Sequence, residues 1–185
     1  MILFEAAFSG CPVELTKVGK GEVMDKARVR FTTLLLAILG LGFISPLFAA
    51  DADFTMTIPS GWTQRTQSTA LAQYKKGPGS FIVTADAMPQ EAKTPDAYIA
   101  FIKQQLGGTF KGISYEPVVA GQKDGNDTRE LKYTTNTSGI KMRFDVLYIF
   151  NKGKAYTLGA ANMADFYTAS FAADVQVFFT SFKFK

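Results

Sequence analysis

From residue 53 onward, apolar and polar positions alternate in short runs separated by turn-forming residues, and two stretches carry a helical period. Phe54-Thr55-Met56-Thr57-Ile58 alternates and predicts a strand, ended by Pro59-Ser60-Gly61 and followed by Trp62. Residues 71–76 and 80–87 predict two further strands. Gly77-Pro78-Gly79 is a turn signal that joins them in a hairpin-like unit. A helix is predicted next, with Thr94 as N-cap, Pro95 in the first helical position and Asp96 complementing the N-terminus. Its stripe is Tyr98, Ile99, Phe101, Ile102, Gln105 and Leu106, and Gly107-Gly108 is expected to stop it. Strands are then predicted over 113–120, 128–135, 140–150 and 155–161, with turns at Asn136-Thr137-Ser138-Gly139 and Asn151-Lys152-Gly153-Lys154. Residues 140–150 alternate most clearly. Ile140, Met142, Phe144, Val146, Tyr148 and Phe150 share one face, while Leu147 and Ile149 make the other face apolar at its end, as expected of a central strand partly covered on both sides. A second helix is predicted from about Asp165, its cap, to Thr180. Its stripe is Phe166, Ala169, Ala173 and Val177, flanked by Phe178-Phe179, and residues 181–185 are extended. Strands, helix, an antiparallel run and a helix give an α+β class, with an antiparallel sheet flanked by helices.

The first fifty-two residues follow a different pattern. Residues 31–50 carry no charge, Lys26, Arg28 and Arg30 precede them, and Ser45-Pro46 breaks the run before small residues. This is the layout of a secretory signal peptide over 24–52, cleaved after Ala52 or Ala50; retention as a membrane anchor is the alternative. Residues 1–23 read as an over-extended gene start, with Met24 as the true initiator. Lys20-Gly21-Glu22-Val23 can be encoded by a purine run resembling a bacterial ribosome-binding site. Ser9-Gly10-Cys11 fits the end of a lipoprotein signal, but the segment before it has no basic residue, carries Glu5 and is too short. The expected organisation is therefore a single folded domain over 53–185, periplasmic or secreted.

Composition narrows the chemistry. The 185 residues include 20 Lys+Arg, 16 Asp+Glu, one Cys and no His. That excludes a Ser-His-Asp triad, a His-ligated metal, an imidazole proton shuttle and an internal disulfide. The formal charge of +4 is spread along the chain without a basic run, so no nucleic-acid partner is expected. Glu116, Asp124, Asp127, Glu130 and Asp145 are the carboxylates available for acid–base work, and nothing in their spacing pairs them. Asp124-Gly125-Asn126-Asp127 lacks the alternation of a calcium loop and reads as a turn. Ser80, Ser114 and Ser181 stand in no nucleophile motif, and Gly77-Pro78-Gly79 and Gly107-Gly108 form no phosphate loop. No catalytic, cofactor-binding or metal-ligating residue is assigned. Trp62 is read as core, with a ligand pocket beside it as the alternative. Lys75-Lys76, Lys152/Lys154 and Lys183/Lys185 are read as solvated turns and tail; their alternative role is a surface for anionic lipid or an acidic partner.

Four features in order carry a resemblance: Phe54-x-x-x-Ile58-Pro59-x-Gly61-Trp62, the Thr94-Pro95 helix start, Gly153-Lys154-Ala155-Tyr156, and the close from Val177 to Ser181-Phe182. The ordering resembles the PsbP-like superfamily, including DcrB-like bacterial periplasmic proteins, over essentially all of residues 53–185. The resemblance implies an α/β/α sandwich and a non-catalytic accessory or binding role in membrane-associated assemblies. DcrB-like proteins are often lipoproteins. Ala49-Ala50-Asp51 stands here where their lipidated Cys would be, and no metal ligand carries over. The expected function is that of an exported, non-catalytic binding protein of the bacterial cell envelope, with an envelope or membrane protein complex as partner. The alternative is a carrier of a small apolar ligand or lipid, with a pocket between helix and sheet.

Overall fold

The computed structural model describes residues 53–65 and 70–185. The segments 1–23 and 24–52, with Cys11 and both cleavage points, lie outside the described residues. The strands are β1 (Phe54–Thr55), β2 (Thr63–Gln64), β3 (Ala72–Lys76), β4 (Gly79–Ala87), β5 (Ser114–Tyr115), β6 (Val119–Lys123), β7 (Asn126–Thr137), β8 (Ile140–Asn151), β9 (Lys154–Met163) and β10 (Lys183–Phe184). Helix α1 spans Pro95–Thr109 and α2 spans Ala169–Ser181, the latter preceded by a 3-10 turn at Ala164–Phe166. The large sheet has the order β2-β3-β4-β9-β8-β7-β5, with β6 also paired to β7, and its pairings are antiparallel. Separately, β1 pairs with β10, and the Lys185 amide donates to the Asp53 carbonyl at 3.0 Å.

Three consecutive two-residue turns set the register of the meander. Asp124-Gly125, Ser138-Gly139 and Lys152-Gly153 join β6 to β7, β7 to β8 and β8 to β9, each with positive φ at both positions. That is the signature of type I′ turns, whose twist matches that of the flanking strands.

β9 is covered on both faces, and β8 on one face along its length and on the other at its Leu147–Ile149 end. On one face α2 lays Phe171, Val175, Phe178 and Phe179 against Phe81 and Val83 of β4, Tyr156, Leu158 and Ala160 of β9, and Ile149 of β8. On the other, α1 lays Tyr98, Ile99, Ile102 and Leu106 against Leu131 and Tyr133 of β7 and Phe144, Val146 and Tyr148 of β8. The expected α/β/α arrangement is therefore present, with the two helices offset across the sheet.

Several boundaries move. Helix α1 continues through Gly107-Gly108 to Thr109, because both glycines keep ordinary helical backbone and the Phe110 amide closes the last turn on Leu106. The strand expected over 113–120 divides into β5 and β6 at Pro117, which has no amide to donate. The strand expected over 54–58 shortens to β1, its length limited by its partner β10. The second helix starts at Ala169, not Asp165: Thr168 Oγ1 accepts from the Phe171 amide at 3.2 Å, and Asp165 falls in the 3-10 turn. Its buried stripe is accordingly Phe171, Val175 and Phe178, with Phe179 beside it. Phe166 and Val177, placed on the stripe by the sequence reading, are exposed.

Glycine substitutions test this packing. A Cβ on Gly79 would stand 2.3 Å from the Phe171 ring, whereas Gly107 and Gly108 have open space around theirs. Gly107→Ala and Gly108→Ala should each stabilise the protein by about 0.5–1 kcal/mol. Gly79→Ala should destabilise it by about 1–3 kcal/mol. Urea midpoints report both, and an unchanged midpoint for Gly79→Ala would contradict the placement of Phe171.

Candidate functional site

Helix α2 covers β3, β4, β9 and the end of β8, and its apolar cluster includes no residue of β7. The remaining half of that face is polar. Directly opposed residues of neighbouring strands share a face, so the register assembles a row across it. Glu116, whose amide donates to the Lys132 carbonyl at 2.9 Å, is followed by Lys132 of β7 and Asp145 of β8. Next to this row lie Thr134, Arg143 and Asn162. Acid, base and acid thus alternate across adjacent strands, the favourable order for cross-strand pairs.

Asp145 is the centre of this network and only 4% exposed. Its carboxylate accepts from Tyr167 Oη at 2.5 Å and from Arg143 Nε at 3.2 Å. Arg143 also reaches Glu116 at 3.6 Å and lies 4.6 Å over the Tyr167 ring. Lys132 Nζ lies 3.0 Å from Glu130. A buried carboxylate is tolerable only when it is paired and hydrogen-bonded, and Arg143 and Tyr167 supply both conditions. Burial works against the charges of Lys132 and Arg143, but the acids around them outweigh it. Glu130, Asp145 and Glu116 raise the pKa of Lys132, and Asp145, Glu116 and Tyr167 raise that of Arg143. Burial, then the hydrogen bond to Asp145, pushes the Tyr167 phenol far above its usual value.

The structure brings together three of the five carboxylates singled out from sequence: Glu116, Glu130 and Asp145. Asp124 belongs to the β6–β7 turn and Asp127 to the adjoining end of β7, away from the row. The three that converge are interleaved with Lys132 and Arg143 and are ion-paired, which suits a structural or recognition network better than a free acid–base pair. Ser80, Ser114 and Ser181 lie on different elements, and Ser181 Oγ accepts from the Thr57 amide at 3.0 Å. Among the described residues no group of three or more His, Cys, Asp or Glu side chains could hold a metal ion. Trp62 is a core residue. Its ring packs on Phe171 and edge-on to Phe178, and its Nε1 donates to Asp174 at 2.9 Å. The same Asp174 oxygen accepts from Lys76 at 2.7 Å. Asp174 loses some solvation there, but the bonds from Lys76 and Trp62 outweigh that loss and lower its pKa.

The lysine pairs do not make one surface. Lys76 opposes Gly79 at the start of β4, whereas Lys154 opposes Ala87 at its end, about 26 Å away along the strand. The Phe184 ring meets Tyr156, so Lys183 and Lys185 lie towards the Lys152 and Lys154 end.

Sequence reasoning gave no functional role to Lys132, Arg143, Asn162 or Tyr167, and it placed Phe166 on a helix stripe. Phe166 is 53% exposed beside the network. The 3-10 turn that presents it is pinned by Asn162 Nδ2 and the Thr168 amide, both donating to the Phe166 carbonyl at 3.0 Å. On the same face, Val119 opposes Glu130 and is 58% exposed.

Removing the Tyr167 hydroxyl tests the network. Tyr167→Phe keeps the ring but leaves Asp145 short of a donor, and should cost about 1–3 kcal/mol. Wild-type stability should also fall at high pH. Tyr98, Tyr133, Tyr148 and Tyr167 all have folded-state pKa values raised by burial. The folded state therefore holds protons that the unfolded chain releases near the ordinary tyrosine pKa of about 10. That stability is intact below about pH 10 and declines above it. Urea midpoints from neutral pH upward, with tyrosinate absorbance, check the slope. A flat profile through the alkaline range would contradict it.

No protein-family model matches the chain, and no curated protein matches it by sequence. Solved structures do share its architecture. The chain is similar to LpqN of Mycobacterium tuberculosis, described as involved in cell envelope biogenesis. The two are 13% identical over 75% of this chain and 88% of that one, with a TM-score of 0.59. It is similar to Mog1p, a Ran-binding protein of Saccharomyces cerevisiae, at 10% identity over 71% of this chain and 90% of that one, with a TM-score of 0.52. Cyanobacterial PsbP (CyanoP) of Synechocystis sp. PCC 6803 aligns at 14% identity over 77% and 99% of the two chains, with a TM-score of 0.48. At such identities the likeness is one of fold, and this chain shares the α+β fold of LpqN and Mog1p.

Proposed function

We propose that the protein is an exported, non-catalytic accessory or binding protein of the cell envelope, acting through a protein partner on the half-face that α2 leaves open. The carrying observation is the network of Glu116, Lys132, Arg143, Asp145 and Tyr167, held ready by its own ion pairs and flanked by exposed Phe166 and Val119. Arginine, tyrosine and a few apolar side chains in a fixed arrangement are what protein interfaces draw on. The fold of an envelope-biogenesis protein and of a Ran-binding protein supports the reading. The signal-peptide layout over residues 24–52 supports export.

The second reading, a carrier of an apolar ligand between helix and sheet, has less support. Beside Trp62 that space is filled by rings. Phe81 and Phe178 stack with centroids 3.9 Å apart, and Tyr74 lies 5.8 Å from Phe178. A ligand there would have to displace core packing at a cost of several kcal/mol.

A site-specific photo-crosslinker tests the proposal in intact cells of the native host. Placed at Thr134 on the open half-face, it should give a discrete adduct with an envelope protein. Placed at Ala100, exposed on α1, it should not. The adduct should weaken in Arg143→Glu. The same labelling from both positions, or none from Thr134, would count against the proposal.

A further inference from the structure

We propose that one pole of the sandwich seats the protein on an anionic lipid surface. The pole comprises the β3–β4 turn, the β7–β8 turn, the chain leaving α1 and the Ala164–Phe166 turn. The register places them together. Ser80 opposes Ala161 near the end of β9, Met142 opposes Met163 at that end, and Thr137 opposes Ile140 across the turn. Helix α1 begins at the other pole, where Asp96 pairs with Arg129, and ends towards β5, where Ser114 opposes Thr134. Lys111 therefore joins this group.

Two independent features coincide there. The first is apolar: Phe166 is 53% exposed on a turn whose backbone is fixed by Asn162 and Thr168. Half-buried Ile140, Met142 and Met163 lie at the same pole. A lone exposed Phe is ordinary; one held rigidly amid cations is the pattern of an interfacial anchor.

The second feature is charge. Lys75, Lys76, Lys111 and Lys141 occupy this pole against Asp165 and Asp174 among the described residues, and Asp174 is tied to Lys76. At the opposite pole Lys93, Lys123, Lys152, Lys154, Lys183 and Lys185 stand among Asp53, Asp86, Glu91, Asp124 and Asp127, which offset all but one of those charges. The cations of the Phe166 pole are lysines on long stems, spread around an apolar centre on convex turns. That geometry fits phosphate headgroups over an apolar layer rather than one concave partner. The biological setting rests on the envelope location proposed above; the measurement below does not depend on it.

Co-sedimentation of the purified protein with vesicles provides the test. Vesicles of equal parts phosphatidylglycerol and phosphatidylcholine should bind it, and phosphatidylcholine alone should not. Binding should weaken severalfold as salt shortens the screening length. Lys111→Glu with Lys141→Glu should reduce partitioning by about tenfold or more. Phe166→Ala should reduce it severalfold, and Lys152→Glu with Lys154→Glu should change it little. Trp62 fluorescence reports that each variant is folded. Equal loss from variants at the two poles, or no preference for the anionic vesicles, would overturn the proposal. So would loss of the Thr134 adduct in the Phe166 variant without vesicle binding by the wild type, which would make this pole a protein interface. Vesicle binding with no adduct from Thr134 would leave the lipid proposal standing and remove the partner reading.

Discussion

The constraint on which the rest of the structure depends is that β9, and β8 from Leu147 onward, have no side in water. β9 is buried along nearly its whole length, and β8 buries Phe144, Val146 and Tyr148 on one face and Ile149 on the other. A sheet whose middle must be dry on both faces needs a layer on each. With one helix per face, the helices cannot cover the full width. α2 lies over β3, β4 and β9, and α1 over β7 and β8. The offset leaves one half-face of β7 and β8 without a helix, and there the chain changes its chemistry. Asp145 stands on the same strand and face as Leu147, yet it is buried among Arg143, Tyr167 and Lys132 instead of apolar side chains. Ion pairs take the place of a third layer, at the desolvation cost that buried charges always carry.

The aromatic layer under α2 follows from the same constraint. Without a disulfide among the described residues, α2 is held by packing, and Trp62, Phe81, Phe171 and Phe178 form a continuous set of ring contacts at its base, with Phe182 buried in the same cluster. Trp62 Nε1, a polar atom in that layer, meets Asp174 on α2 and so fixes the helix in rotation as well as depth. The β1–β10 pair extends the layer, with Phe54 stacked on Phe182 at 4.9 Å. The first and last strands, β1 and β10, are thereby tied to the core that α2 closes.

How much of this was legible in the sequence varied with the physics. Alternation over 140–150 identified β8 and its partial cover on both sides, because a two-residue period is local. Thr94-Pro95 placed the start of α1, because capping is local too. Gly107-Gly108 misled, since a glycine pair weakens a helix without ending it when the following turn can still close. Asp165 misled because Thr168, three residues on, offers the same capping oxygen in a position that lets Phe171, Val175 and Phe178 face the sheet. Packing chose between two locally adequate caps, and the exposure of Phe166 is the consequence. The charged network was hidden for another reason. Lys132, Asp145 and Glu116 are separated along the chain and become neighbours only through register, which the three Xaa-Gly turns set with a two-residue count that the broader sequence turns did not resolve.

The electrostatics of the open half-face bear on function more than its residue types do. A site for a charged small ligand leaves one sign uncompensated and waiting. Here each central charge already has an internal partner, and the network is closed except at its margins, Glu116 and the ring side of Tyr167. Such a surface gives little affinity through charge alone, because any incoming ion must compete with pairs already made. It does hold Arg143 and Tyr167 in fixed orientation, so a partner that covers them loses little side-chain entropy on their account. Recognition would then come from shape and from burial of Phe166 and Val119 at the edges, with the charges rejecting surfaces that fail to match. An interface built this way favours selectivity over strength, which is what the accessory role proposed above requires of it.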